Sequence, residues 1–202
     1  LTLTGNINAK SAGNVWLNTP VGSVVGVGNR ITANVLNVTA NTTSTLNTSV
    51  TSLTANISQA NNNLTVEETD DLSITANNVR TSNGDIQINL ASGNLTLTGG
   101  INAGILGNVT LNTSAGYING AGLVTGQFLT VNATNNSSLT TNVANLTATV
   151  TGLNKQLIIN ESTDLFLESS GISTNNGAVT LNLTTGNLSG TGGINTVLAG
   201  NI

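Results

Sequence analysis

The stretch LTLTGGINAGILGNVTLNT, residues Leu95–Thr113, occurs a second time at Leu1–Thr19 as LTLTGNINAKSAGNVWLNT. The two copies are 94 residues apart, and from Leu36 and Leu129 onward equivalent residues are 93 apart. An internal period of this kind predicts a solenoid or an array, because each unit buries its apolar face against its neighbours.

The period divides the chain into two long repeats, residues 1–94 and 95–187, and residues 188–202 begin a third with LSGTGGIN. We expect these parts to form one continuous solenoid domain. Since the chain begins and ends inside a repeat motif, we also expect it to be a portion of something longer.

Short alternating segments fill each repeat. Leu1-Thr2-Leu3-Thr4 and Val15-Trp16-Leu17 alternate and end at Gly or Asn, which is the pattern of short strands closed by turns. Strand starts recur at about 20 residues or fewer, so one long repeat corresponds to about four to five coils. Two repeats predict about nine or ten rungs and, at about 4.8 Å per rung, a rod on the order of 45 Å long.

The composition suits a narrow β-solenoid interior. Of 202 residues, 38% are hydrophobic but only 2% are aromatic and 6% are charged, and there are 23 glycines. Aliphatic side chains fit between stacked strands, Thr favours the outward β positions, and Gly and Asn tolerate the backbone angles of corners. The predicted fold is therefore all-β, with coils of about 20 residues grouped in the long repeat.

Several classes of function are disfavoured by residues that are missing or scarce. The chain has no cysteine and no histidine, which removes thiol nucleophiles, zinc–thiolate sites and the commonest general base. Only four residues are basic, too few to neutralise a phosphate backbone, and no apolar run reaches the length of a membrane span. We expect no enzymatic activity, no cofactor, no nucleic-acid partner and no membrane insertion.

The segment from Asn41 to Asn63 is ambiguous. Leu46, Val50, Leu53 and Ile57 have spacings of 4, 3 and 4, which is helical periodicity. The residues between them are mostly Thr, Ser and Asn, which disfavour helix interiors. Strand with corners is the favoured prediction and helix is the alternative.

Much of the chain resembles a known family. Segments such as GNVTLNTSAGYINGAGLVTG (Gly107 to Gly126), LIINESTDLFLES (Leu157 to Ser169) and ISTNNGAVTLNLTTGNLSGTGGI (Ile172 to Ile194) are similar to the repeat region of large bacterial exoproteins of the filamentous-haemagglutinin type. Such proteins are exported by two-partner secretion. The resemblance implies a right-handed parallel β-helix in the fibrous shaft of a secreted adhesin.

The function expected from this resemblance is structural: a stiff, extracellular, surface-displayed shaft or filament. Because a solenoid end leaves an unpaired strand edge, the expected partners are further repeats of the same chain or neighbouring filament subunits, end to end, and a host or neighbouring-cell surface. The alternative is a carbohydrate-binding or carbohydrate-active β-helix, which requires a groove with converging acids and aromatics.

Acidic residues cluster at equivalent places in the two repeats. A calcium site would use several of these hard oxygen ligands, and a pair of carboxylates could hydrolyse sugars. The simplest interpretation is a solvated corner that limits association. The calcium candidates are Glu68, Asp71, Glu161 and Asp164.

Two aromatic residues are predicted to face outward. Trp16 lies between the inward Val15 and Leu17, and Phe166 lies between Leu165 and Leu167. Exposed rings on a polar rod are candidates for lateral contacts, since they supply contact area at low entropic cost.

The chain also contains Asn-x-Ser/Thr sequons as candidate glycosylation sites, among them Asn37, Asn63, Asn108, Asn145 and Asn182.

Overall fold

The computed structural model describes residues 1–197, apart from the side chains of Ala76, Asn77 and Val197. The described part of the chain forms strands and turns, and it contains no helix that is long and apolar enough to cross a membrane. The last residues of the third repeat, 198–202, lie outside the described residues. The strands are β1 (Ile7–Asn8), β2 (Asn14–Thr19), β3 (Val25–Ala40), β4 (Ser44–Ala60), β5 (Leu64–Glu68), β6 (Leu72–Ser82), β7 (Ile86–Leu90), β8 (Leu95–Leu97), β9 (Ile101–Asn102), β10 (Val109–Thr113), β11 (Ile118–Ala133), β12 (Ser137–Leu153), β13 (Leu157–Glu161), β14 (Leu165–Asn175), β15 (Val179–Leu183), β16 (Leu188–Gly190) and β17 (Ile194–Val197).

Every strand pairs in parallel with the strand one coil away, which confirms the predicted β-solenoid. The chain makes about nine turns with a spacing of about 21 residues. One column of stacked residues shows the arrangement, because each member pairs with the next along the rod: Ile86, Val109, Leu129, Leu146 and Leu167.

The core is a set of aliphatic columns inside the coil. In β10, for example, Val109, Leu111 and Thr113 are buried and the residues between them are half-buried. Fully buried Leu, Ile and Val fill the interior along the rod. Each buried side chain of this size stabilises the fold by about 1.5–3 kcal/mol relative to exposure.

The ambiguous segment is a strand, and its helix-like spacing has a structural cause. β4 runs from Ser44 to Ala60 with Leu46 and Val50 facing the core. At the following corner both Ser52 and Leu53 are buried, so the alternation changes phase by one residue. This phase change produces the spacing of 3 between Val50 and Leu53 that mimics a helix.

The long repeat is not a whole number of coils. Glu68 pairs with Leu90 of the next coil. Followed coil by coil along the rod, this column of paired residues reaches Val150 four coils after Glu68. The equivalent of Glu68 in the second repeat is Glu161. The coil that starts at Val150 is 24 residues long, because Val150 pairs with Thr174, and Glu161 lies 11 residues into it, near its middle. The prediction of four to five coils per repeat is thus confirmed, and equivalent residues lie on opposite sides of the rod.

Several corners share a Thr-x-x-Gly turn. In each, the Thr hydroxyl donates a hydrogen bond to the carbonyl oxygen of the Gly three residues later, as Thr113 does to Gly116 at 3.0 Å. The same bond joins Thr19 to Gly22, Thr81 to Gly84 and Thr174 to Gly177. The glycine allows close stacking, because a Cβ on Gly116 would lie 1.8 Å from the carbonyl oxygen of Gly93 in the coil beneath.

Candidate functional site

Glu68 and Glu161 lie inside the solenoid. Their side chains are 1% and 0% exposed. Glu68 accepts hydrogen bonds from the backbone N–H groups of Val50 at 3.1 Å and Thr69 at 2.7 Å. Glu161 repeats this arrangement with Val143 at 3.1 Å and Ser162 at 2.7 Å. Each carboxylate thus serves as the hydrogen-bond acceptor for backbone N–H groups at its corner. The interpretation of a solvated corner is wrong for these two residues.

Burial also changes the protonation of Glu68. Desolvation raises the pKa of its carboxyl to about 7, although the hydrogen bonds from the Thr69 and Val50 backbone and from the Thr48 side chain favour the charged form. A group of this kind changes its charge near neutral pH, and its titration is coupled to the stability of the corner that it holds.

Asp71 and Asp164 have a different structural role on the outside of the same turns. The Oδ1 atom of Asp71 accepts a hydrogen bond from the backbone N–H of Asn94 at 2.7 Å, and Asp164 accepts one from Asn187 at 2.6 Å. Within residues 1–197, no three Asp, Glu, His or Cys side chains converge as a metal-binding group. The four calcium candidates therefore act as turn caps in the structure.

A groove of about 450 Å³ lies beside the first of these corners and runs along the rod. Its lining comes from six consecutive coils, beginning at Ser11 and ending at Tyr117, so it is about 24 Å long at about 4.8 Å per coil. Ala33, Val50 and Leu72 form a buried floor. The polar lining residues are Ser11, Thr32, Ser49, Thr51, Asp70, Asp71, Ser73, Asn94 and Thr96.

Many polar groups in this groove have no protein partner. Ser49 makes one long contact, 3.5 Å, to the Oδ2 atom of Asp70. Five other Ser and Thr hydroxyls of the lining form no hydrogen bond with any described residue, namely those of Ser11, Thr32, Thr51, Ser73 and Thr96. The groove therefore presents donors and acceptors that are available to a ligand.

The second repeat carries a smaller version of the same groove, of about 320 Å³. Its lining residues are equivalent, one by one, to residues of the first groove: Ile105 to Ser11, Thr125 to Thr32, Gly126 to Ala33, Asn142 to Ser49, Val143 to Val50, Ala144 to Thr51, Thr163 to Asp70, and Asp164 to Asp71. Because the repeat ends about half a turn out of phase, the two grooves lie on opposite sides of the rod.

The grooves bear on the carbohydrate alternative. Asp71 and Tyr117 line the same groove, so an acid and one aromatic ring lie along one surface, whereas that alternative requires converging acids and several aromatics. Glu68 is directed into the core instead and does not line the groove. Glu68 and Asp71 are therefore divided between the interior and the surface and cannot act together as a catalytic pair in this groove.

The aromatic residues face outward as predicted, and a third ring joins them. Trp16 is 68% exposed, and Phe166 is half-buried. Phe166 pairs with Asn145, which pairs in turn with Phe128, so two phenyl rings occupy one outward column two coils apart. Lateral contact through Trp16 and Phe166 stays a prediction.

Asparagine side chains form ladders on the outer surface. Asn132 donates to Asn112 at 2.7 Å, Asn112 donates to Asn89 at 2.6 Å, and Asn89 donates to Glu67 at 2.7 Å.

Two of the candidate glycosylation sites also donate through their side-chain nitrogens, Asn145 to Gln127 and Asn182 to Asn160. Asn63 and Asn108 lie in exposed turns and Asn37 is half-buried in β3, and glycosylation stays a prediction at all five.

One signal in the sequence could have placed the glutamates correctly. Leu64, Val66 and Glu68 occupy alternate positions of β5, and Leu157, Ile159 and Glu161 do so in β13. Strict alternation puts all three residues of each set on the inner face. The groove has no comparable signal, because six coils of unequal length bring its lining together.

Comparisons with known proteins add no further assignment. No family model matches the chain, and no curated protein or solved structure is significantly similar to it.

Proposed function

We propose that this protein is a structural β-solenoid segment, the stiff shaft of a secreted, surface-displayed adhesin or of an extracellular filament. The observation that carries the proposal is the continuation of the stack. Leu188 and Ile194, at the start of the third repeat, pair with Leu165 and Ile172 as Leu95 and Ile101 pair with Leu72 and Val79. The third repeat therefore pairs with the second through equivalent residues and in the same register as the second pairs with the first.

The ends of the described stack support this proposal. At the first coil, Leu3 and Ile7 pack against the core but are only partly buried, and the same holds for Leu181, Leu183 and Ile194 at the last. Within residues 1–197 no further element covers either set. Incompletely buried aliphatic columns and open strand edges favour contact with more of the same structure. The partners proposed are further repeats of the same chain or neighbouring subunits, end to end, and a host or neighbouring-cell surface.

The remaining parts of the proposal come from sequence. The likeness to repeat regions of filamentous-haemagglutinin-type exoproteins supports secretion and an extracellular location. The scarcity of charge and the absence of His and Cys support a non-catalytic role. A second candidate function, carbohydrate binding, is favoured by the groove between Ser11 and Tyr117.

Electron cryo-microscopy of the native material tests the shaft. We expect a continuous rod with rungs about 4.8 Å apart and a longer recurrence about 21 Å along the axis, which is the rise of one 93-residue repeat. Discrete particles closed at both ends would contradict the proposal.

A duplication experiment tests whether the repeat extends the rod. Residues 95–187 are inserted once more after Asn187, which creates the same Asn–Leu junction that joins Asn94 to Leu95. Small-angle X-ray scattering should show the rod lengthened by about 21 Å with an unchanged cross-section. An increase in cross-section without added length would mean that the new repeat folds beside the rod.

A further inference from the structure

We propose that the groove between Ser11 and Tyr117 is a binding site for a linear oligosaccharide without acidic groups, lying along the rod axis. The inference rests on the groove's shape, its unpaired hydroxyls and its charge. It rests on the second candidate function, carbohydrate binding, and not on the shaft being part of an adhesin, because every residue that lines the groove belongs to this chain.

The polar groups of the groove match the chemistry of sugars. A sugar hydroxyl both donates and accepts hydrogen bonds, and the groove supplies five hydroxyls that form no hydrogen bond with described residues. The exposed carboxylate of Asp70 adds a strong acceptor, since hydrogen bonds to charged groups are the stronger ones. These groups are spread over successive coils, so they can contact successive sugar units.

Charge decides which sugars the groove accepts. Asp70 and Asp71 line it, and the lining contains no Lys or Arg. Sulfated or uronic-acid glycans would place negative charge against these carboxylates, whereas neutral sugars and amino sugars would not. The volume of about 450 Å³ lies within the range of small-molecule sites and matches a short stretch of glycan chain.

The one aromatic ring in the lining lies at the end of the groove. Tyr117 is half-buried, and its backbone N–H is fixed by the side chain of Asn94 at 3.2 Å. The tyrosine ring offers an apolar face with a polar tip, which suits the mixed surface of a sugar. Tyr117 is therefore assigned as the terminal contact of the bound chain.

An extended peptide fits the groove less well. Strand addition requires an open backbone edge, and the floor residues Ala33 and Val50 already pair with each other in the parallel ladder. The floor side chains Ala33, Val50 and Leu72 are nearly fully buried, so they offer little surface to a peptide side chain.

The second groove is an internal control. Thr163, Ile105 and Ala144 replace Asp70, Ser11 and Thr51 there, and its lining includes no aromatic ring. The Thr163 hydroxyl also contacts Asn142 at 3.4 Å and Glu161 at 3.3 Å, so it is already occupied. We expect one binding site per chain, in the first repeat.

The test uses isothermal titration calorimetry of the whole chain with a panel of tetrasaccharides. The panel contains β-linked glucose, N-acetylglucosamine and glucosamine tetramers, with a sulfated heparin tetrasaccharide as the acidic probe. At least one non-acidic tetramer should bind with a stoichiometry of one, and the heparin fragment should not bind.

Substitutions that copy the second groove identify the site. Asp70→Thr and Thr51→Ala introduce residues that the same corner tolerates in the second repeat, and each should weaken binding at least tenfold without changing the circular dichroism spectrum. Tyr117→Ser should also weaken binding. The control is Ile105→Ser in the second groove, which should leave affinity unchanged.

Three results would overturn the proposal. The first is no binding of any non-acidic tetramer at millimolar concentration. The second is binding that survives both Asp70→Thr and Tyr117→Ser. The third is equal binding of the heparin fragment. None of these results bears on rod length, so the shaft proposal stands or falls separately.

Discussion

Gly116→Ala should lower the free energy of unfolding by about 3 kcal/mol or more. The added Cβ would lie 1.8 Å from the Gly93 carbonyl oxygen and 2.6 Å from its carbonyl carbon. These are backbone atoms of the coil beneath, so relief requires the two coils to separate, and overpacking of this kind costs about 1–3 kcal/mol or more. Urea denaturation followed by circular dichroism measures the change.

The same turn supplies a matched control at the first coil. Gly22 ends a Thr-x-x-Gly turn with the same hydroxyl-to-carbonyl hydrogen bond, but a Cβ there would meet no atom within 4 Å. Gly22→Ala should therefore change stability by no more than about 0.5 kcal/mol. Equal losses for the two variants would contradict the role assigned to close stacking, since neither glycine has a positive φ.

Stability should decrease as pH rises from about 5 to about 7, because of Glu68. Burial raises the pKa of this carboxyl from 4.5 to about 7, so the folded state holds the proton more tightly than the unfolded state does. The contribution is therefore fully present below the unfolded value and is lost as pH rises through the folded value. At about 1.4 kcal/mol per pKa unit, the loss is on the order of 3 kcal/mol.

Unfolding free energies measured at several pH values check this prediction. Glu68→Gln keeps the shape of the side chain without a titrating proton, and it should flatten the decrease between pH 5 and pH 7. Glu67→Gln removes one charge from the exposed side of the same strand, and it should keep the decrease. A decrease that persists unchanged in Glu68→Gln would assign the pH dependence to another group.

The fold could be predicted from the sequence to a large extent. Alternation in segments such as Val109–Thr113 predicts strands, the scarcity of aromatics predicts a narrow interior, and the long repeat predicts a stack. Outward positions of Trp16 and Phe166 follow from the same alternation. These features are local, since a side chain's face depends only on its position along its own strand.

The candidate site could not be predicted in the same way. Coil lengths range from 17 residues, between Leu36 and Leu53, to 24, between Ala55 and Val79. The register between coils therefore decides that Asp70, Thr96 and Tyr117 share one groove. Register is set by backbone pairing across the whole stack, and no single segment encodes it.

Local alternation and repetition along the chain are enough to predict a parallel stack of short aliphatic strands with a recurrence of 93 to 94 residues. Two further features depend on how the coils stack. Equivalent residues lie on opposite sides of the rod, and a groove spans six coils. The physical reason is that a coil of about 21 residues does not divide the long repeat evenly, so residues distant in sequence become neighbours only when the coils stack.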